Sequence, residues 1–492
     1  MFRSTDRQSP LFSTGNLMPE ATRAAVEKSW AKPFREKVLP ILLRHEGEFA
    51  ALYDGGNGRP NKSVGLILGT LILKEVNDLT DEEVIGSLDF DRRWEYAFDV
   101  EPGTAHVCQK TLHNFRAGLI NHGKERLIFR QVTDELIPLL GVSVSRQRLD
   151  STHVLSNFAK LTRLGVFCET IRVFLSALKK RDARLYAELP GGILKRHGEE
   201  SCYADARHEQ GPRRLAVAAR DTYRLVERFK DNDVIDGLEE YEHLKRVLAE
   251  RCEIVETPPR IDPGDDDLGE GPVPVTLKEA KDVESDSLQT PHDPGVTYSG
   301  HKGSGYEVQI AETCVKDNPV NLITEVQVNP SAHNDARATI PVIEALKDAG
   351  IAPEEMATDT AYGGAKNAAN AATHGVNLLA PCPAKGRPDP DKTYPVPSTL
   401  CPRTPEEAGE WLKQQEAQPD FQDRYAIRAG VEGTHSGMKR GQGLGRLRVR
   451  GTERVRLSVH FKATACNIKR SLAYWLDPKR LGSTTARAPA LA

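Results

Sequence analysis

The chain has 492 residues, of which 39% are hydrophobic and 28% charged, and its formal net charge is −3 at pH 7. That is the composition of an ordinary soluble protein, long enough for two to four domains with sizeable cores. No apolar run reaches the roughly 18 residues of a membrane span, and the first residues, MFRSTDRQSPLFS, lack the apolar centre of a signal peptide. A cytoplasmic protein with no membrane partner is expected. Its eight cysteines show no CxxC spacing, which excludes a zinc ribbon or a disulfide framework and reads as reduced thiols.

In chain order, residues up to about 140 read as helical. Ser63–Val76 (SVGLILGTLILKEV) is apolar nearly all round, as a buried helix is. Thr80 and Glu83 form a capping box opening a helix through about Phe98. A third helix starts near Ala105, with Leu112, Phe115, Leu119 and Ile120 on one face and Lys110, His113, Arg116 and Lys124 on the other. Three short helices ending on a basic one suit a DNA-binding bundle, and equally a plain docking domain.

At Gly141 the pattern changes. VSVSRQRLDSTHVL is rich in β-branched residues and reads as a strand carrying Asp150. Residues 161–255 return to helical spacing, with Ile235, Leu238, Tyr241, Leu244 and Leu248 on one stripe, and residues 256–296 form an acidic Pro/Gly-rich linker. Strands follow at Tyr306–Cys314 and Asn321–Val328. Then come a helix over Asp335–Ala349 with Pro341 in its first turns, a strand Glu355–Asp359, a helix Ala365–Thr373 and a strand Val376–Ala380. Residues 386–423 are Pro-rich and polar, a second small insertion.

In Tyr425–Lys439 the polar residues Tyr425, Arg428, Glu432 and Lys439 fall within an arc of roughly 60° if the whole stretch is one helix. A carboxylate flanked by two cations and a phenol suits an acidic metal ligand beside a phosphate chain; a surface salt-bridge stripe is the plainer alternative. Gly430, Gly433 and Gly437 on the same helix would let a ligand backbone come close. From Phe421 to Arg480 there are fourteen Lys/Arg against four Asp/Glu, a local basic block. Within it Arg446, Arg448, Arg450, Arg454 and Arg456 alternate as on an extended ribbon with one basic edge, where phosphate contacts add affinity without sequence choice.

With the insertions set aside, the element order matches an α/β, ribonuclease H-like mixed sheet with helices on both faces. In that core the first and fourth strands are neighbours, so Asp150 and Asp359 meet and the later helix can lay Glu432 over them. Three converging carboxylates repel unless cations neutralise them, and hard oxygen ligands select Mg²⁺ or Mn²⁺, two ions for in-line displacement at phosphorus. Asp335 reads as a helix cap, and His153 and His435 as structural or supporting neighbours of the acids.

The motifs carry a resemblance. Tyr425, Arg428, Glu432 and Lys439 reproduce the Tyr-x2-Arg-x3-Glu-x6-Lys signature of DDE transposases of bacterial insertion sequences; LDSTHV at Asp150 and ATDTAYGG at Asp359 resemble that family's aspartate motifs. TPHDPGVTYSGHKGSGYEVQ from Thr290 resembles its second-strand block, and GRPNKSVGLILGTLIL with TLHNFRAGL its N-terminal helical domain. The resemblance implies that Asp150, Asp359 and Glu432 are catalytic and bind the two metal ions, while Tyr425, Arg428 and Lys439 hold phosphates of the transposon end. Lys302, with His301 and Tyr306, would approach the DNA near the site; Arg446, Arg448, Arg450 and Arg116 complete the DNA-binding set. Trp411 would be a candidate for stacking a flipped base, against the alternative of a buried core tryptophan. The implied partners are double-stranded DNA, as terminal inverted repeats and target, and further copies of the chain in a dimer or larger assembly; on DNA the protein would be nucleoid-associated.

The resulting organisation is a helical DNA-binding domain at 1–140, a catalytic core at 141–160, 297–385 and 424–480, a helical insertion at 161–255, a linker at 256–296, a small insertion at 386–423 and a disordered tail at 481–492. Two rival readings keep part of this: a ribonuclease H-like nuclease that cuts without joining, and a catalytically silent DNA-binding protein.

Overall fold

The computed structural model describes residues 1–5, 18–54, 60–101, 103–197, 211–260 and 271–477. The expected tail at 481–492 and residues 261–270 of the expected linker lie outside them. Among the described residues no helix is long and apolar enough to cross a membrane.

At the centre stands a mixed sheet. Strand β1 (Arg146–Val154) is antiparallel to β2 (Gly303–Thr313), which is antiparallel to β3 (Ile323–Pro330); on its other side β1 runs parallel to β4 (Glu355–Ala357), and β4 parallel to β5 (Asn377–Leu379). The order β3-β2-β1-β4-β5 is that of a ribonuclease H-like core, with the short strand Thr297–Ser299 added where β2 begins. β1 pairs with β2 through Asp150↔Ile310 and with β4 through Arg148↔Ala357. Two residues beyond that second pair lie Asp150 on β1 and Asp359 just past β4. Strand pairing alone therefore brings together two residues 209 positions apart.

The pleat sends alternate side chains to opposite faces. Leu149 and Ala311 face a core made with α5 (Thr339–Asp348), α6 (Ala365–Thr373) and α7 (Pro405–Glu416). Val154, Tyr306, Val308 and Ile310 face the other way, against Met438 of α8 (Gly430–Gly441) and Val455, Val459 and Ala463 of α9 (Thr452–Leu476). Helix α7 lies inside the stretch read as a polar insertion. Its Ala408, Trp411 and Leu412, spaced as one helical stripe, pack on α6.

A polar network sits beneath α8. Glu312 of β2 is fully buried; Arg148 of β1 pairs with it at 2.7 Å, Arg470 of α9 at 2.9 Å, and the Thr434 hydroxyl of α8 donates to both its oxygens at 2.8 Å. Burial alone would raise the Glu312 pKa, but the two guanidiniums outweigh it and hold the carboxyl below its usual range. Both C-terminal helices are thereby fixed to the sheet two residue pairs from Asp150.

The N-terminal helices wrap the apolar helix α1 (Val64–Val76), which is buried at every position. The capping box at Thr80 and Glu83 forms and opens α2 (Asp81–Phe90). The helix expected to continue through Phe98 instead breaks at Asp91, which caps a second piece, Arg92–Phe98. α3 (Gln109–Asn121) buries Leu112, Phe115 and Leu119, and α4 (Leu127–Leu140) leads into β1. Leu457, Phe461, Ala465, Ile468 and Leu472 of α9 join the same core, and Lys462 of α9 pairs with buried Glu75 of α1.

After β1, helices Arg163–Arg181, Gly211–Phe229 and Glu239–Arg251 pack on one another, closed by a hairpin of Cys252–Ile254 with Val275–Leu277. The returning chain is not an exposed linker throughout. Ser287, Leu288, Thr290 and Asp293 are buried, and Asp293 accepts hydrogen bonds from Tyr306 and Ser156. An acid that composition marks as solvated is held in the core by two hydroxyl donors.

Candidate active site

Asp150 lies at the middle of β1 with its side chain 13% exposed, Asp359 two residues past β4, and Glu432 in the first turn of α8. One side chain touches all three. The Arg428 guanidinium places Nη2 3.0 Å from Asp150 Oδ1 and 3.7 Å from Asp359 Oδ2, and Nη1 3.3 Å from Glu432 Oε1. The acids picked out in sequence are therefore neighbours in space, gathered on a cation also picked out in sequence.

The helix that delivers Arg428 is not the single element expected. A short helix ends at Tyr425, residues Ala426–Ala429 form a 3-10 turn, and α8 starts only at Gly430. A 3-10 turn advances about 120° per residue rather than 100°, so Tyr425 and Arg428 leave the stripe that a continuous helix would give. Arg428 still reaches Glu432 at i, i+4. Gly430 also has a different role from the one expected: a Cβ there would lie 2.0 Å from Arg148 Nη1, so the glycine admits Arg148, which donates to Ile427 O at 2.7 Å and pins the 3-10 turn. Gly433 and Gly437 have open space around them, on the exposed face that carries Glu432.

The local electrostatics favour a cation. Burial pushes the Asp150 carboxyl up to about 6, the Arg428 charge opposes this, and the Asp359 charge adds to it. Three carboxylates face a single guanidinium. His435, with Nδ1 3.9 Å from Asp150 Oδ2, adds no charge, since burial pushes its imidazole down to about 4. Among the described residues no group of three or more His, Cys, Asp or Glu side chains is disposed to hold a metal ion; the guanidinium stands between the acids. An oxygen-only donor set with surplus negative charge nonetheless fits a hard divalent ion, and Asp150, Asp359 and Glu432 are the residues that could hold one once Arg428 turns away.

The remaining candidates surround this centre. Tyr425 is half-buried and stacks on Phe421, with ring centroids 5.6 Å apart. Lys439 is half-buried, makes no ion pair among the described residues, and has its pKa lowered by burial, with Glu307 opposing that shift and Lys302 adding to it. Lys302, in the turn before β2, reaches Glu307 at 2.6 Å, Ser151 Oγ at 3.3 Å and Asp335 at 4.0 Å. Tyr306 is a core residue, whereas His301 is exposed. Asp335 is not a cap: Asn334 caps that turn, and Asp335 accepts from Gln309 Nε2 at 3.1 Å. Trp411 is buried, and its indole donates to Ser398 O at 2.8 Å, so the core reading holds over base stacking.

Of two further acids beside the site, Glu307 was missed in sequence and Asp335 was read as a cap. Glu307 is 2% exposed and neutralises Lys302, and Asp335 brings a further carboxylate to the same lysine. For Glu307 the only signal was an acid at a strand position.

Beyond the site, Gly445–Arg450 runs extended beside Leu155–Asn157, through Leu155 N→Gly445 O, Leu447 N→Leu155 O and Asn157 N→Val449 O. Arg446, Arg448 and Arg450 are exposed along it while Leu447 points inward; Arg454 and Arg456 belong to α9. Arg448 also pairs with Asp78 at 2.7 Å, Arg450 donates to Asn157 O, and Arg116 is half-buried in an ion pair with Asp81.

Two family models match. Residues 34–118 match the family described as Transposase domain (DUF772), which covers α1, α2 and most of α3, and residues 381–472 match Transposase DDE domain, which spans the Tyr425–Lys439 signature and the arginine ribbon. No curated protein and no solved structure matches the chain. A transposase domain matches towards each end of the chain, with the signature glutamate inside the second, and together the two matches support a DDE transposase of an insertion sequence.

Proposed function

We propose that this transposase binds the ends of its element, hydrolyses a phosphodiester bond there and joins the freed 3′-hydroxyl to target DNA, with Asp150, Asp359 and Glu432 as the catalytic acids. The observation that carries the reading is the convergence of these three side chains, from β1, the end of β4 and α8, on one guanidinium.

In the first step a water oxygen bonds to phosphorus and the bond to the 3′-oxygen breaks. In the second, that 3′-oxygen bonds to a target phosphorus and displaces the target's own 3′-oxygen. Each step exchanges one P–O bond for another and moves one proton from attacker to leaving group, so no nucleotide cofactor is required. Two Mg²⁺ or Mn²⁺ ions on the three acids would supply activation of the attacking oxygen and neutralisation of the leaving one. Arg428 holds the acids together in the DNA-free protein and turns to a phosphate when DNA arrives. A planar fork suits both partners, because carboxylate and phosphate present the same paired oxygens. Lys439, half-buried and without an ion pair among the described residues, needs no partner exchange to meet a phosphate. Lys302 and the exposed Arg446, Arg448 and Arg450 extend the contact along the backbone. Tyr425 places its phenol beside the scissile region.

The test uses Asp150→Asn, Asp359→Asn and Glu432→Gln on duplexes carrying the element's end, together with a target plasmid. Each variant is expected to bind the end and neither cut nor join. Cutting at the wild-type rate by any one variant removes that acid from the centre. Wild-type cutting with no joining of a pre-cut end would leave a nuclease.

A further inference from the structure

The helical insertion ends in a surface divided by charge. Its helix Arg163–Arg181 leaves the core after β1 and runs 19 residues, about 28 Å at 1.5 Å per residue. Two apolar layers lie along it. Leu164 and Phe167 pack in the near one with Val275, and Phe174 and Leu178 in the far one with Ile193, Phe229 and Ile235. The short helices Ala183–Ala187, Gly191–His197 and Asp233–Asp236 close the far layer.

The two halves of that end carry opposite charge. From Lys179 to Arg196 there are six Lys/Arg and two Asp/Glu; from Asp231 to Glu242 there are six Asp/Glu and no Lys/Arg. On the basic half Lys180, Arg181, Arg184 and Lys195 are exposed and make no ion pair among the described residues. On the acidic half one lysine, Lys245, serves both Asp236, at 2.8 Å, and Glu242, at 2.5 Å. Asp231 and Asp233 are exposed without an ion pair among the described residues, and Val234 beside them is 50% exposed. The halves adjoin: Arg228, on the helix that leads into the acidic half, donates to Glu188 O of the basic half at 3.1 Å. A surface kept for solubility intersperses its signs rather than separating them. A nucleic acid does not fit the whole of it either, since the acidic half would face phosphates.

We infer that this end of the insertion is a two-fold contact between copies of the chain, the basic half of each copy meeting the acidic half of the other. A two-fold interface sets one patch against the same patch of the second copy, so a patch with its two signs on separate halves is complementary to itself. Every charge contact then occurs twice, and Val234 adds an apolar element. The inference goes beyond the catalytic reading and can fail without it. For the reaction proposed above, it would put two acid centres in one assembly.

The test is the mass of the full-length, DNA-free protein by sedimentation equilibrium. Wild type is expected to carry two chains per particle at about 0.1 M NaCl and to dissociate towards one at about 1 M, where the Debye length falls from about 10 Å to about 3 Å. Lys180→Glu with Arg181→Glu, and separately Asp231→Lys with Asp233→Lys, should each weaken the pairing by at least about a hundredfold, because like charges then oppose each other. Mixed one to one, the two variants should pair again, since one has two acidic halves and the other two basic halves. All four residues are exposed, so an unchanged circular dichroism spectrum separates loss of contact from loss of fold. A wild type that stays single, variants that stay paired, or a mixture that fails to pair overturns the inference. So does a Lys180→Glu, Arg181→Glu protein that keeps the wild-type mass and loses duplex affinity, which would assign the basic half to DNA.

Discussion

Replacing Arg428 by glutamine should loosen the ion-free protein and tighten its hold on divalent ions. The guanidinium is the only cation at contact distance from Asp150 among the described residues, and it also touches Asp359 and Glu432. The contacts to Glu432, 67% exposed, and Asp359, 36% exposed, are screened and contribute below about 1 kcal/mol each. Asp150 is the costly partner, being 13% exposed with its carboxyl already pushed up to about 6. Protonation limits the loss: at pH 7.5 neutralising that carboxyl costs about 2 kcal/mol, at about 1.4 per unit. The expected destabilisation is therefore about 2–3 kcal/mol by urea titration in EDTA. Magnesium should then restore the variant more than it stabilises wild type, because in the variant the ion no longer competes with an internal cation; at 100 times its Kd a ligand adds about 2.7 kcal/mol. Manganese titration followed by electron paramagnetic resonance gives the affinities directly. Equal manganese affinity in the two proteins, with no loss of stability in EDTA, would refute the idea that Arg428 and a divalent ion claim the same place.

Three further outcomes follow from the geometry. Glu312→Gln leaves the Arg148 and Arg470 charges buried without their acid, and should cost about 3–5 kcal/mol in urea unfolding; a loss under about 1 kcal/mol would mean the network does not anchor α8 and α9. His460 is held neutral by burial, its pKa pushed down to about 3, whereas the unfolded chain takes up that proton near 6.5. Its stabilisation is full above pH 6.5 and falls by about 2 kcal/mol on acidification to pH 5, so His460→Gln should flatten the stability profile between those values; parallel profiles would contradict this. Lys302→Ala should lower the salt slope of end binding by about one, and an unchanged slope would take Lys302 off the DNA.

The parts of the fold legible in sequence were those fixed by local pattern. The β-branched run around Asp150 formed its strand, the capping box at Thr80 formed as read, and helix Ala365–Thr373 matches residue for residue. The break at Ala426–Ala429 was not legible, because Arg148, which pins it, is 279 residues away from Ile427. Helix α7 was hidden by the prolines before it, although Ala408, Trp411 and Leu412 carried a helical spacing. Buried acids were not legible for one shared reason. Composition placed Asp293 in a solvated linker and said nothing of Glu307 or Glu312, and their partners Tyr306, Lys302 and Arg470 become neighbours only through the fold. The acids of the candidate site, by contrast, sit at positions that the strand order of the core itself brings together, and so motif and topology agreed.

The most direct measurement is anomalous scattering from manganese in crystals of the protein bound to a duplex that carries its element's end. The account expects density shared among the carboxylates of Asp150, Asp359 and Glu432, with the Arg428 guanidinium withdrawn to a phosphate. Manganese bound elsewhere, with Arg428 still between the three acids while the DNA is engaged, would contradict it.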